Sequence, residues 1–451
     1  MTGGELLAVR QNERCNVEWS RHRRVLALAI PAMGTLIADP LLGLVDTAVV
    51  GRLGAAELGA LGLSVAVFTT LSWVFNFLVF GTTSTVARAV GADRLDTAAR
   101  RVSHAIQVAL WLGLIVGTAL LVLAPVIIRS LGAVDALVDP ASTYLSIRAA
   151  GVPLLLLGYV GHGAFRGVGD TKTPLFIVIG ANIINAVLTV TFVFGFGLGI
   201  AGAAWGTVLA ELFVVVAFAY RWRRTGLHVR GHGRPNKNEL LSLLLVSRDL
   251  FLRTGALLTG LLIVTVAAAR IDAGTAAAHH ILYQLFLLIA FTLDGLGIAG
   301  QTLVGRALGA GDAREARRLA REFLWWGVGT GIVVGAVLLA GMTAIPRFLT
   351  DDADVIATAA TAWVFVAFMQ PLNGAVFSLE GIMMGAEDFR FMRNWTLVAA
   401  VSAAVTSAVV VIGGYGVLGL WMAMGVLMLI RFVPVWVRLQ GERWMRFGVG
   451  T

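Results

Sequence analysis

Two aspartates stand seven residues apart in an otherwise apolar stretch, Ile37-Ala-Asp-Pro-Leu-Leu-Gly-Leu-Val-Asp-Thr47. On a helix, seven residues are about two turns, so Asp39 and Asp46 share one face with roughly 10 Å between them along the axis. Pro40 removes a backbone donor between them and permits a kink that frees nearby carbonyls. Apolar surroundings disfavour the charged form of a carboxyl, which suits such a group to take up and release protons. The competing reading is a solvated, passive Asp46 at a membrane edge; Thr47, Val49 and Val50 argue against full exposure. A second polar group is the stripe Asn182, Asn185 and Thr189, spaced i, i+3 and i+7, which Thr207 in the next apolar run could face. The stripe serves either to close a hydrogen-bond network around Asp46 or to hold helices together. Asp294 and Glu380 are further acids within apolar runs, and Asn76 and His162 stand 218 positions before them.

The elements that must position these groups follow from composition. Of 451 residues, 58% are hydrophobic and only 14% are charged, and the mean hydropathy is +0.85. Soluble domains carry roughly 25% charged residues, and their single cores stop growing near ~250–300 residues. Apolar runs of about 20 residues, enough for a helix to cross a bilayer, recur from Val25 to Val437. The alternation of a transmembrane β-barrel is absent. The sequence therefore predicts an all-α polytopic membrane protein with twelve transmembrane helices, the second over Leu58–Thr82. The net charge of +9 sits in short loops, which reads as bilayer orientation and not as nucleic-acid binding. The lone Cys15 excludes a disulfide framework and a multi-cysteine metal site. The first run is too long for a cleaved signal core and reads as an uncleaved span.

Arginines cluster after alternate spans, at Arg88, Arg94, Arg100 and Arg101, then at Arg221, Arg223 and Arg224, and again at Arg306, Arg314, Arg317, Arg318 and Arg321. This bias predicts that both termini are cytoplasmic. Glu211 is then expected near the cytoplasmic surface, Arg253 to snorkel, His162 to be packed, and His279 and His280 to be interfacial.

The two halves resemble each other. Val86-Ala-Arg-Ala-Val-Gly-Ala92 has its counterpart in Val304-Gly-Arg-Ala-Leu-Gly-Ala310, 218 positions later, and Gly167 and Asp170 meet Gly385 and Asp388 at the same offset. Six spans per half give a parallel repeat, a layout used by secondary transporters with a cavity between the halves. The predicted organisation is a cytoplasmic segment (1–24), a six-helix bundle (25–220), a basic cytoplasmic linker (221–247), a second six-helix bundle (248–437) and a cytoplasmic tail (438–451). No P-loop, HExxH, CxxC or GxSxG motif is present, so no cofactor is expected and an ion gradient is the available energy source. A membrane-embedded enzyme using paired carboxylates is the alternative class. Acids spread over both halves fit transport better, because catalytic acids must converge on one bond.

The stretch Pro40-Leu-Leu-Gly-Leu-Val-Asp-Thr-Ala-Val-Val-Gly51 resembles the first-helix motif of multidrug and toxic compound extrusion (MATE) transporters, of the DNA-damage-inducible F-like (DinF) branch. Gly167-Val-Gly-Asp170, Leu293-Asp-Gly295, Gln301-Thr-Leu-Val-Gly-Arg306 and Glu380-Gly-Ile-Met-Met-Gly385 extend the resemblance over nearly the whole chain. It implies two six-helix bundles around a V-shaped cavity and export of cationic or amphipathic organic compounds by antiport. It also implies that Asp46 is the proton- or sodium-responsive carboxylate. One position departs from the family pattern: Thr189 stands where an Asp follows the Asn by four residues, and Asp39 is expected to supply the second carboxylate. The expected protein is a proton-coupled exporter in a bacterial inner membrane, acting as a monomer among membrane lipids, with Asn76, Asp294 and Glu380 in the substrate cavity. Sodium coupling and flipping of lipid-linked sugars are the alternatives within the same fold.

Overall fold

The computed structural model describes residues 3–224 and 237–445, with side chains for 22–38, 43–224 and 245–445. Among these residues the chain is helical throughout. The helices are α1 (Gly3–Val50), α2 (Ala55–Phe75), α3 (Phe77–Gly91), α4 (Leu95–Ser130), α5 (Asp135–Gly167), α6 (Lys172–Val190) and α7 (Gly199–Arg223) in the first half. The second half has α8 (Lys237–Ile271), α9 (Ala273–Gly309), α10 (Ala313–Ala340), the short α11 (Ala344–Leu349), α12 (Ala353–Gly385), α13 (Phe389–Gly413) and α14 (Gly416–Gln440). Twelve segments are long and apolar enough to span a bilayer; α2 and α3 form one of them, Ala55–Gly91, interrupted at Asn76. α1 continues across position 24 without a break, so the expected N-terminal segment and first span are one helix.

The repeat governs where helices begin and end. Ala55 and Ala273 open matching spans, Gly91 and Gly309 close them, and α4 with α10 and α5 with α12 start 218 positions apart. Packing repeats too: a side chain added at Gly113 would meet the Pro153 backbone at 2.6 Å, and one at Gly331 would meet Pro371 at 2.6 Å. Small residues let helix backbones approach where lipid supplies no hydrophobic drive for association. One apolar core fills the first bundle and runs through the junction, and a second fills the other bundle around Trp363 and Trp421. Trp111, Val122, Phe176 and Phe368 are between 67% and 70% exposed on the outside of the molecule. That apolar exterior is the surface hydrocarbon chains would cover.

The halves meet at the end that carries the repeated arginine motif. A Cβ at Gly91 would lie 2.1 Å from the Arg306 carbonyl oxygen, and one at Gly309 would lie 2.1 Å from that of Arg88. The two copies of the motif thus clasp each other reciprocally. Arg88 donates to the Ala386 carbonyl at 3.1 Å and pairs with Glu387 at 3.4 Å. Gln301 donates to the Phe80 carbonyl at 2.8 Å, and Thr302 to that of Arg166 at 3.1 Å. From this seam the bundles diverge as a V, with Trp73 stacked on Phe291 at 6.4 Å about midway up the two facing helices.

Candidate functional site

The first polar centre lies inside the N-terminal bundle, where the end of α1 meets α6 and α7. Asp46 is only 6% exposed. The Thr189 hydroxyl donates to its Oδ1 at 3.2 Å, and the Thr207 hydroxyl lies 3.4 Å from Oδ2. Asn185 donates to Thr207 Oγ1 at 3.0 Å. Thr207 owns a single proton and has a second acceptor, the Ala203 carbonyl of its own helix, at 3.1 Å. An ionised carboxylate is the stronger acceptor, so it holds the hydroxyl; a neutral acid releases it to Ala203. Charge on Asp46 therefore decides whether α7 is tied to α1. Asn185 Oδ1 is buried without a partner, an open acceptor one hydroxyl away from the carboxyl.

The stripe expected from spacing divides. Asn185 and Thr189 are fully buried in this network, while Asn182 donates to the Ala38 carbonyl at 2.8 Å, beside the Asp39-Pro40 step. The Asp39 side chain, the expected second carboxylate from α1, lies outside the described residues.

Deeper in the same bundle the structure corrects one expectation. Glu211 is not at a cytoplasmic surface; it is half-buried in mid-helix and accepts from Arg148 of α5 at 2.8 Å. Arg148 also covers the Phe68 ring at 4.4 Å. Sequence reasoning missed Arg148, although a basic and an acidic residue in the middle of two apolar helices imply each other, since a charge in the bilayer needs a partner. Removing one partner leaves the other buried and unpaired, at about 3–5 kcal/mol. Arg148→Met is expected to lower the unfolding temperature of the detergent-purified protein, and adding Glu211→Gln to restore most of it. A single variant as stable as wild type would show that the pair carries no such burden.

The second polar centre lines a cavity of about 280 Å³ between the halves. Asn76, Asp294 and Glu380 all border it, with Trp73, Phe80 and Tyr283 among its walls. Glu380 is not free to attract a cation, as the sequence suggested. Arg431 grips it through two bonds of 2.8 Å, and Arg253 binds the same carboxylate. Arg253 does not snorkel: it is 6% exposed and reaches Glu380 from α8. Arg431 was overlooked in the sequence for the same reason as Arg148. Asp294 differs from Glu380 in having no hydrogen bond or ion pair among the described residues.

The histidines take structural places. His162 packs edge-on against Phe218 at 4.9 Å. His279 is buried, not interfacial, between Tyr283 and Trp421 with Thr265 Oγ1 at 3.2 Å, while His280 is exposed. Arg438, expected in the tail, lies inside α14 and donates to Asp388 at 2.8 Å.

Comparison with known proteins agrees with this architecture. The MatE family profile matches residues 31–191 and 256–411. Protein DETOXIFICATION 44, chloroplastic, from Arabidopsis thaliana is 33% identical over 91% of this chain and 80% of its own length. DNA damage-inducible protein F from Escherichia coli (strain K12) is 28% identical over 91% of both chains. The crystal structure of the Vibrio cholerae MATE transporter VcmN in the bent form superposes with a TM-score of 0.86 over 94% of this chain and 98% of that one, at 18% identity.

Proposed function

The chain belongs to the MatE family, and from that premise we propose that it is a proton-coupled antiporter that exports cationic or amphipathic organic compounds across a bacterial inner membrane. The observation that carries this reading is Asp46, an unpaired carboxyl buried in the first bundle and held by two threonine hydroxyls from different helices. Arginines crowd the closed end of the V, at Arg94, Arg100 and Arg101 and again at Arg314, Arg317 and Arg321, and this bias supports a cytoplasmic position for that end and for both termini. The cavity then opens outward. External protons neutralise Asp46, Thr207 turns to its own helix, and α1 separates from α6 and α7. The resulting change in bundle packing expels substrate. Reopening of the seam toward the cytoplasm returns the proton and loads the next molecule. Coupling of this kind needs only a differential affinity of the proton for the two states.

Sodium is the competing coupling ion, favoured by one detail. The oxygens of Asp46, Thr189 and Thr207 meet within hydrogen-bond distance, and oxygens are the donors a hard cation takes. The test is efflux of a fluorescent lipophilic cation from reconstituted vesicles under an imposed proton gradient or an imposed sodium gradient. The proposal expects export with the proton gradient alone. Export with sodium alone would transfer the site to the other ion, and no export under either would remove the antiport reading.

A further inference from the structure

The second half carries a cluster of charge that the first half lacks. Asp249 of α8 is only 3% exposed, and three guanidinium groups converge on it. Arg393 of α13 donates to its Oδ1 at 2.6 Å and Arg248 to the same oxygen at 2.9 Å. Arg390 reaches Oδ2 only at 3.8 Å, beyond hydrogen-bond distance. One carboxylate neutralises one of the three cations, so the cluster keeps two positive charges. The pair of Arg393 with Asp249 already ties α13 to α8. Arg248 and Arg390 are surplus to it, with side chains 50% and 68% exposed. At the 218-residue offset, Arg248, Asp249, Arg390 and Arg393 correspond to Ile30, Pro31, Lys172 and Leu175, so the first half has one basic residue where the second has three.

The surroundings indicate what meets these charges. Arg390 stands three positions after Glu387, a residue of the seam at the closed end of the V. α8 and α13 pack side by side. About one turn further along, both turn exposed apolar side chains outward, Phe251 and Leu252 on α8 and Trp395, Leu397 and Val398 on α13. The basic groups therefore stand at the rim of a surface that hydrocarbon chains would cover, beside a tryptophan at the depth such residues favour. A soluble anion would match the charge and leave the apolar rim unused; a lipid meets both. Guanidinium groups grip phosphate through paired N–H donors, and basic pockets between transmembrane helices take anionic headgroups. We propose that the α8–α13 face at the closed end binds an anionic phospholipid, with its phosphate on Arg248 and Arg390 and its acyl chains along Phe251, Leu252, Leu397 and Val398. Asp249 is the positioning residue that gathers the guanidinium groups. The inference is independent of the coupling ion and of the exported compound.

Phosphatidylglycerol and phosphatidylcholine with the same acyl chains share a phosphate and differ in net charge. Their binding to the purified full-length protein, titrated in detergent and counted by native mass spectrometry, needs no transport. Phosphatidylglycerol is expected to bind at least about tenfold more tightly, the effect of two basic side chains beside an anionic headgroup. Arg248→Gln combined with Arg390→Gln leaves the Arg393–Asp249 pair in place and should fold; in it the preference should disappear. Arg94→Gln combined with Arg100→Gln removes the same charge from exposed positions of the first half and should keep the preference. Equal binding of the two lipids, a preference that survives without Arg248 and Arg390, or a preference lost equally in both double variants would overturn the proposal. So would displacement of phosphatidylglycerol by millimolar glycerophosphoglycerol, the same headgroup without chains, which would assign the charges to a soluble anion.

Discussion

Gly91→Leu and Gly309→Leu are each expected to reduce transport by roughly 5- to 150-fold while the protein still folds. At both positions a Cβ would come within 2.1 Å of a carbonyl oxygen of the opposite motif, so any side chain must push the halves apart at the seam. The atom met is backbone, which cannot swing aside as a flexible side chain would. Overpacking of this kind costs about 1–3 kcal/mol. Each 1.4 kcal/mol is about tenfold in an equilibrium, so the closed seam loses roughly 5- to 150-fold in population. A transporter that cannot close one end cannot complete an alternating cycle. The change is read directly by pulsed electron paramagnetic resonance between spin labels on the two arginine-bearing ends, which should show longer and broader distances. Gly329 has open space around it, so Gly329→Leu should leave both distance and transport as they are. A Gly91→Leu protein with wild-type distances and wild-type export would show that the seam does not gate.

Much of this arrangement was readable from the chain. The 218-residue offset is carried by two short loop motifs, and helix ends at Gly91 and Gly309 fall on it because glycine and charge stop an apolar helix in both copies. Asp46, Asn185, Thr189 and Thr207 were legible because a polar side chain in an apolar run must find partners, and helical spacing says which face it uses. The partners of charged residues were not legible in the same way. Spacing within one helix gives no distance to another, so the sequence alone allows Glu211 a surface and Arg253 an aqueous escape. Both are held by helices distant in sequence: Arg148 is 63 positions from Glu211, and Glu380 is 127 positions from Arg253. The cost of desolvation is the signal that pairs them, since four mid-helix charges of opposite sign rarely stay unpaired in a bilayer. The pairing has a functional consequence. With Glu380 neutralised, the second cavity is not a simple cation trap, and Asp294 becomes its free carboxyl.

Asp46→Asn should separate substrate movement from proton movement. Asparagine keeps the size of the side chain but is neutral, so Thr207 turns to the Ala203 carbonyl as it does beside the protonated acid, while Thr189 remains as a donor. The asparagine cannot take up and release a proton, and it presents the same neutral face in both halves of the cycle. The link between α1 and α7 then no longer changes with external proton concentration, so an imposed gradient has nothing to act on. Exchange of labelled for unlabelled substrate across the membrane, which needs no net proton flux, is expected to persist. Thr207→Val should weaken coupling less, because Thr189 remains as a donor.

The most direct measurement follows vesicle-lumen pH with an entrapped dye in sodium-free medium while a substrate gradient is imposed. The wild-type protein is expected to move protons opposite to substrate, and Asp46→Asn to exchange labelled substrate with no change in lumen pH. Substrate-driven proton movement that survives in Asp46→Asn would contradict the account and place the coupling proton elsewhere in the molecule.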